Sequence, residues 1–196
     1  EAGADGSVRH QAGALALCRA INATTGYRAR FRGAVDLRQE VRGCHVILMT
    51  GQEEFTLAEE WEHNLKAFHE RGGVIFGEAC GAGITSTEQA VAFRQSFRAL
   101  AERLGVKLTT VERGHSLFTS HHLFAEAPRG VDGPALIVSG EGVIYSDGDY
   151  GCVWDGGRPE KPAPREDIRA AVELGINLGI YSYQRAYRQS VRMVAG

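Results

Sequence analysis

The residues best suited to chemistry gather at one strand end. The stretch Gly72-Gly73-Val74-Ile75-Phe76-Gly77-Glu78-Ala79-Cys80-Gly81-Ala82-Gly83 reads as a glycine stop, a buried strand and a glycine-rich turn carrying a carboxyl and a thiol. In an open α/β sheet, ligands bind outside the carboxyl ends of the strands. A bent strand-to-helix turn also holds a nucleophile exposed, as in hydrolase elbows. Cys80 as a nucleophile needs a depressed pKa and a nearby base, which a helix N-terminus and an imidazole supply. His115, in Gly114-His115-Ser116-Leu117-Phe118, and His121 are the candidate bases. His122 adjoins His121, and neighbours on an extended segment point to opposite sides, so at most one of the two faces a common site.

A second chemistry uses Glu78, His115, Asp147 and Asp149 as metal ligands. Mixed carboxylate and imidazole donors suit zinc, manganese or iron. The two aspartates lie in Tyr145-Ser146-Asp147-Gly148-Asp149-Tyr150-Gly151, just past another apolar run. The spacing carries no His-x-x-x-His signature, and Asp beside Gly is also ordinary turn chemistry. Each candidate thus has a plain structural alternative. Cys80 is also a small buried thiol, and His115 also a residue that pins its own loop.

The elements that must position these groups alternate. Val8 to Ala20 places Ala14, Leu15, Leu17, Cys18 and Ile21 at helical spacing. Tyr27 to Phe31 alternates apolar residues with arginine, which predicts a strand. Leu37 to Val41 predicts a helical turn, and His45 to Met49 a buried strand. Thr56, with Glu59 as capping-box partner, predicts a helix to Arg71, stopped by Gly72 and Gly73. Strand Val74 to Ala79 follows, then a Thr87-capped helix over Glu88 to Leu104 and a strand over Val106 to Val111. The segment 112–133 has no clean period and is expected to be a long loop, a place where function often resides. Ala135 to Ser139 and Gly142 to Ser146 predict a hairpin. Residues 147–165 are irregular, and Glu166 to Val191 predicts a long amphipathic helix containing Gly175-Ile176-Asn177-Leu178-Gly179.

Strands alternating with helices imply a mainly parallel sheet covered on both faces, with an antiparallel edge hairpin. The 196 residues, 43% hydrophobic and 23% charged, are expected to form one domain over 8–196, preceded by a disordered or tag-derived stretch 1–7. Arginines are dispersed, so no basic face for nucleic acid is expected, and no apolar run reaches the roughly 18 residues of a membrane span. The four cysteines, Cys18, Cys44, Cys80 and Cys152, form no Cys-x-x-Cys pair. Unpaired thiols suit a reducing, cytoplasmic setting. The start at Glu1 leaves open an exported protein whose signal peptide has been removed.

Several motifs, in order, resemble a known family. They are Leu48-Met49-Thr50-Gly51, the Gly72-Gly73 strand with its acidic turn, and His115-Ser116-Leu117-Phe118. Val143-Ile144-Tyr145-Ser146 follows with Asp149-Tyr150-Gly151 and Trp154, then Gly175-Ile176-Asn177-Leu178-Gly179-Ile180-Tyr181. Together they resemble an uncharacterised bacterial domain-of-unknown-function family grouped with the class I glutamine amidotransferase-like superfamily, near trehalose-utilisation-type folds. The resemblance covers roughly Tyr27 to Tyr183 and implies a flavodoxin-like three-layer α/β/α sandwich. That family typically carries an Asp pair where this chain has Glu78 and Cys80, and a proline where it has Ser116. The superfamily's amidotransferase mechanism needs Gly-x-Cys-x-Gly and His-x-Glu. Here Glu78 stands two residues before Cys80, and the second motif falls on Asp147-Gly148-Asp149. A carboxylate there does not take a thiol proton as imidazole does near neutral pH, so glutamine hydrolysis is not expected.

Three readings remain open. One is small-molecule or divalent-metal binding in a polar pocket at the strand ends, lined by Glu78, Cys80, His115 and Asp149. The second is a hydrolase using Cys80 with His115 or His121. The third is a metal-dependent enzyme using Glu78, His115 and Asp149. A protein partner docking through 112–133 is compatible with each.

Overall fold

The computed structural model describes residues 3–80 and 87–195. Its elements run α1 (Gly3–Thr24), β1 (Val46–Gly51), α2 (Glu59–Glu70), β2 (Val74–Ala79), α3 (Thr87–Arg103), β3 (Thr109–Thr110), α4 (Ser116–Thr119), β4 (Ile137–Gly140), β5 (Val143–Ser146), α5 (Tyr150–Val153), β6 (Gly157–Arg158), β7 (Lys161–Pro162) and α6 (Arg165–Ala195). The five-stranded sheet has the order β1-β2-β5-β4-β3, and β6 and β7 form a separate antiparallel pair. β1, β2 and β5 are parallel neighbours, while β4 turns back antiparallel to β5. This is the mainly parallel sheet with a late hairpin that the alternation of strands and helices implies.

Strand period explains the two cores. Side chains on β2 alternate between faces. Val74, Phe76 and Cys80 join the cluster formed with Leu17 and Ile21 of α1, Leu117 of α4 and Leu174 and Leu178 of α6. Ile75 and Ala79 join the opposite cluster, with Leu65 and Phe68 of α2 and Phe93 and Phe97 of α3. Helices therefore cover both faces, completing a three-layer α/β/α arrangement. Glu78 has the parity of Phe76 and Cys80, so both chemical side chains leave the strand on the α1 face.

Several boundaries differ from expectation. α1 already begins at Gly3, inside the stretch expected to be disordered and five residues before Val8. Tyr27 to Phe31 forms no strand. Its exposure does alternate, but the Asn22 side chain takes the Ala29 N–H and C=O at 2.7 and 2.9 Å, so a side chain satisfies backbone groups that a neighbouring strand would otherwise pair. α2 starts at Glu59, not after a Thr56 cap: Ala58 is the N-cap and makes no side-chain bond. Glu59, Glu60 and Glu62 place negative charge at that helix start instead. The strand expected over Val106 to Val111 shrinks to Thr109–Thr110. The turn residues after Cys80 and the expected Thr87 cap fall outside what is described.

Asn177 explains the order in the expected loop. Its Oδ1 accepts from the N–H groups of His121 and His122 at 3.0 and 2.7 Å, and its Nδ2 donates to the carbonyls of Leu117 and His122 at 2.9 and 2.8 Å. One buried amide inside an apolar helix thus fastens residues 117–122 to α6.

Candidate metal centre

Three segments far apart in sequence meet at the carboxyl end of β2. β2 supplies Glu78, with Cys80 just past its end, the short helix α5 carries Cys152 and has Asp149 as its N-cap, and α1 supplies His10. His10 lies four residues before Ala14, seven before Leu17 and eleven before Ile21, so it continues the buried stripe of α1. The helix reaches the site because two glycines face each other. A Cβ on Gly13 would stand 1.9 Å from the Gly151 carbonyl oxygen, and one on Gly151 would stand 2.2 Å from His10 Nδ1.

Glu78 holds α5 in place. Its Oε1 accepts from the Tyr150 N–H at 2.8 Å and its Oε2 from the Gly151 N–H at 2.9 Å. The carboxylate is thus committed to two backbone donors at the start of α5, and it aims Asp149 and Cys152 back towards Cys80. Burial pushes its pKa up to about 8, and the charge of Asp149 adds to that; His10 and the two N–H bonds oppose it. Asp149 occupies the left-handed region, with φ 51° and ψ 43°, a conformation costly for residues other than glycine and concentrated at functional sites.

The donors converge on one imidazole nitrogen. His10 Nε2 lies 3.1 Å from Asp149 Oδ1 and 3.8 Å from Cys152 Sγ. Ligand atoms of His10, Cys80, Asp149 and Cys152 all lie within 4.8 Å of one another, and all four residues are buried. The other Asp149 oxygen accepts from Arg158 Nε at 3.0 Å and Nη2 at 2.9 Å, and Arg158 also reaches Asp132 at 2.9 Å.

The electrostatics are those of several acidic groups crowded around one base. Burial opposes charge on His10, but its bonds to Asp149 and Cys80 and the charges of Glu78 and Asp149 push its pKa up to about 10. Cys80 is held well below a free thiol, chiefly because Cys152 donates to it, with His10 assisting. Cys152 moves in the opposite direction for the same reason. The two thiols are therefore pushed apart, with Cys80 the more acidic.

Of the residues singled out in the sequence, Glu78, Cys80 and Asp149 come together. His115 and Asp147 do not join them. His115 Nδ1 accepts from the Leu117 N–H at 3.1 Å, capping α4, and its ring packs 5.8 Å from that of Tyr181. Asp147 is exposed and Oδ1 accepts from the Leu136 N–H at 2.6 Å. His121 is exposed, its ring against that of His122 at 4.8 Å. Among the described residues the imidazole beside Cys80 is His10, which sequence reasoning passed over. Its phase with Ala14 and Leu17 was the available signal. Cys152 and Arg158 were missed as well, since neither spacing matches a ligand motif.

A model of a domain of unknown function, DUF4159, matches residues 2–183. The chain belongs to the DUF4159 family. No curated protein matches it. The matched DUF4159 span contains all four donors together with Glu78 and Arg158, and ends inside α6. Among the described residues no helix is long and apolar enough to cross a membrane.

Proposed function

We propose that this domain binds a zinc-type divalent ion through His10, Cys80, Asp149 and Cys152, with Glu78 and Arg158 as positioning residues. The observation that carries this is the convergence of two sulfurs, one carboxylate oxygen and one imidazole nitrogen within 4.8 Å. Tetrahedral zinc, with bonds of about 2.0–2.3 Å, needs ligand atoms roughly 3.3–3.8 Å apart, and the 3.8 Å between His10 Nε2 and Cys152 Sγ meets that. Soft thiolates with imidazole select zinc over magnesium or calcium. Arg158 on the far oxygen of Asp149 is the kind of outer partner that fixes a ligating carboxylate. Four buried protein donors fit a structural ion better than a catalytic one, which keeps an open position.

The test is elemental analysis of protein purified without chelator, with cobalt substitution as a spectroscopic readout. About one equivalent of metal is expected, lost in His10→Ala and Cys152→Ser and retained in His115→Ala and Asp147→Asn. Absence of both stoichiometric metal and thiolate–cobalt absorption would overturn the proposal.

A second reading, a hydrolase using Cys80, is favoured by the thiolate beside a protonated His10. Two observations oppose it. Cys80 is only 2% exposed. A catalytic relay also divides its partners between the two ring nitrogens, whereas here Nε2 faces both Asp149 and Cys152. Alkylation separates the readings: a nucleophile reacts fast at pH 7 whether or not zinc is added, and a ligand is protected by zinc. A pocket of about 460 Å³ lined by Cys152, Gly156 and Arg158 supports access of a small molecule to this side of the cluster. The three-layer sandwich supports a place near the amidotransferase-like superfamily, without glutamine hydrolysis. Packing of α1 and α6 on the same sheet face supports a single domain.

A further inference from the structure

At the opposite end of β2, away from the proposed metal ligands, lies a second concave site. A pocket of about 480 Å³ is bounded by His69 at the end of α2, Glu141 in the β4–β5 turn and the arginines 185, 188 and 192 of α6. Arginines three and four residues apart share one helix face, and seven residues of helix span about 10 Å. Arg185 is built into the wall. Its Nη1 donates to the carbonyls of His69 and Gly73, both at 3.0 Å, and a Cβ on Gly142 would stand 2.5 Å from its Nε.

These charges are only partly balanced locally, by Glu141 acting on Arg185. Among the described residues, no carboxylate lies within 4.0 Å of the guanidinium of Arg185, Arg188 or Arg192. Glu70, which also lines the pocket, is bound to Lys66 at 2.7 Å. Glu141 makes no ion pair within 4.0 Å among the described residues, though its charge acts on Arg185 and His69, and its backbone carbonyl accepts from His69 Nε2 at 2.7 Å. Arg185 is committed to the wall, its Nη2 also meeting His69 Nε2 at 3.2 Å, so the pocket presents the exposed guanidinium groups of Arg188 and Arg192 beside it, against the carboxylate of Glu141.

We infer that this pocket binds a free small molecule bearing a di- or polyphosphate group. Guanidinium forks match phosphate oxygens and bind them in pairs. Arg188 and Arg192, about 6 Å apart along the helix, suit two linked phosphates rather than one carboxylate. The concave shape and volume are those of a small-molecule site. This inference is independent of the metal reading.

Pyrophosphate is the probe, followed by isothermal titration calorimetry and phosphorus NMR. Saturable one-to-one binding is expected, tighter than that of inorganic phosphate. Arg188→Gln with Arg192→Gln is expected to weaken it by roughly tenfold or more, about 1.4 kcal/mol per decade. Both side chains are exposed, so folding is retained. Glu141→Gln is expected to tighten binding, and His10→Ala, which removes the proposed metal site, to leave it intact. No saturable binding, or an unchanged affinity in the double arginine variant, would overturn the inference. So would sedimentation of the protein with phosphatidate vesicles that pyrophosphate does not compete away, because the ligand would then be a membrane headgroup.

Discussion

Asp149 concentrates more constraint than any other residue of the site. It adopts a left-handed backbone, its carboxylate is almost fully buried, and its two oxygens face a histidine and an arginine. Such strain persists only where the surroundings over-determine it, and here Arg158 and His10 hold the two carboxylate oxygens. Arg158→Gln leaves the Asp149 charge buried with its fork of donors gone. Because the Arg158–Asp149 pair is buried on both sides, the cost is about 3–5 kcal/mol. Loss of an outer partner also lowers metal affinity by roughly 10–100-fold. Denaturant midpoints and competition with a chelator measure the two effects; a variant unchanged in both would remove Arg158 from the site. Asn177→Ala is a contrasting case. It strips four hydrogen bonds from residues 117–122 and is expected to cost about 1–3 kcal/mol. Metal binding should survive, since the proposed ligand set includes neither His115 nor His121. Zinc lost together with that loop would contradict the assignment of His10.

At the scale of elements, the decisive contact is α1 against α5. Gly13→Ala sets two effects against each other. Alanine gains about 1 kcal/mol of helix propensity over glycine. Its Cβ would lie 1.9 Å from a backbone oxygen, and overpacking of that kind costs about 1–3 kcal/mol. Backbone cannot swing aside as a side chain does, so the clash wins. Gly13→Ala is therefore expected to lower the melting temperature and release metal together; a more stable variant would show that α1 does not dock as described. This contact marks where legibility ended. β2 was readable because an uninterrupted apolar run between glycines has few alternatives, and its period of two places Glu78 and Cys80 on one face. Which histidine faces them was not readable. His10 is separated from Cys80 by 70 residues and from Cys152 by 142, and only the packing of α1 on the sheet joins them. His115 and His121 looked better because they follow glycine-rich or irregular sequence, yet each is used locally. Tyr27 to Phe31 misled for a related reason. Its alternation is real in exposure, but alternation reports one covered face and says nothing about a strand partner.

For the whole molecule, a titrating histidine and the proposed ion lie at opposite ends of β2. His69 is buried at the end where the arginines gather, and burial lowers its pKa, with Arg185 adding to the effect. Its folded pKa is depressed, so its share of stability is full above the ordinary histidine value of about 6.5 and is lost as pH falls below it. His69→Gln is expected to flatten the stability profile between about pH 7 and 5, measured by urea denaturation. An unchanged slope would assign the acid sensitivity elsewhere. At the other end, an ion held by His10, Cys80, Asp149 and Cys152 joins the first helix, the central strand and the segment after β5. It would thereby tie α1 to two segments already joined to each other by the β2–β5 pairing and the Glu78 bonds to α5. A ligand that binds only the folded state adds about 2.7 kcal/mol at a hundred times its dissociation constant. Zinc addition is therefore expected to raise the melting temperature and chelation to lower it. Amide exchange should locate the change in α1, because without the ion that helix is held chiefly by the stripe of Ala14, Leu17 and Ile21. Deep protection of α1 that chelator does not alter would mean that the apolar stripe suffices and that the four donors contribute nothing to holding the helix.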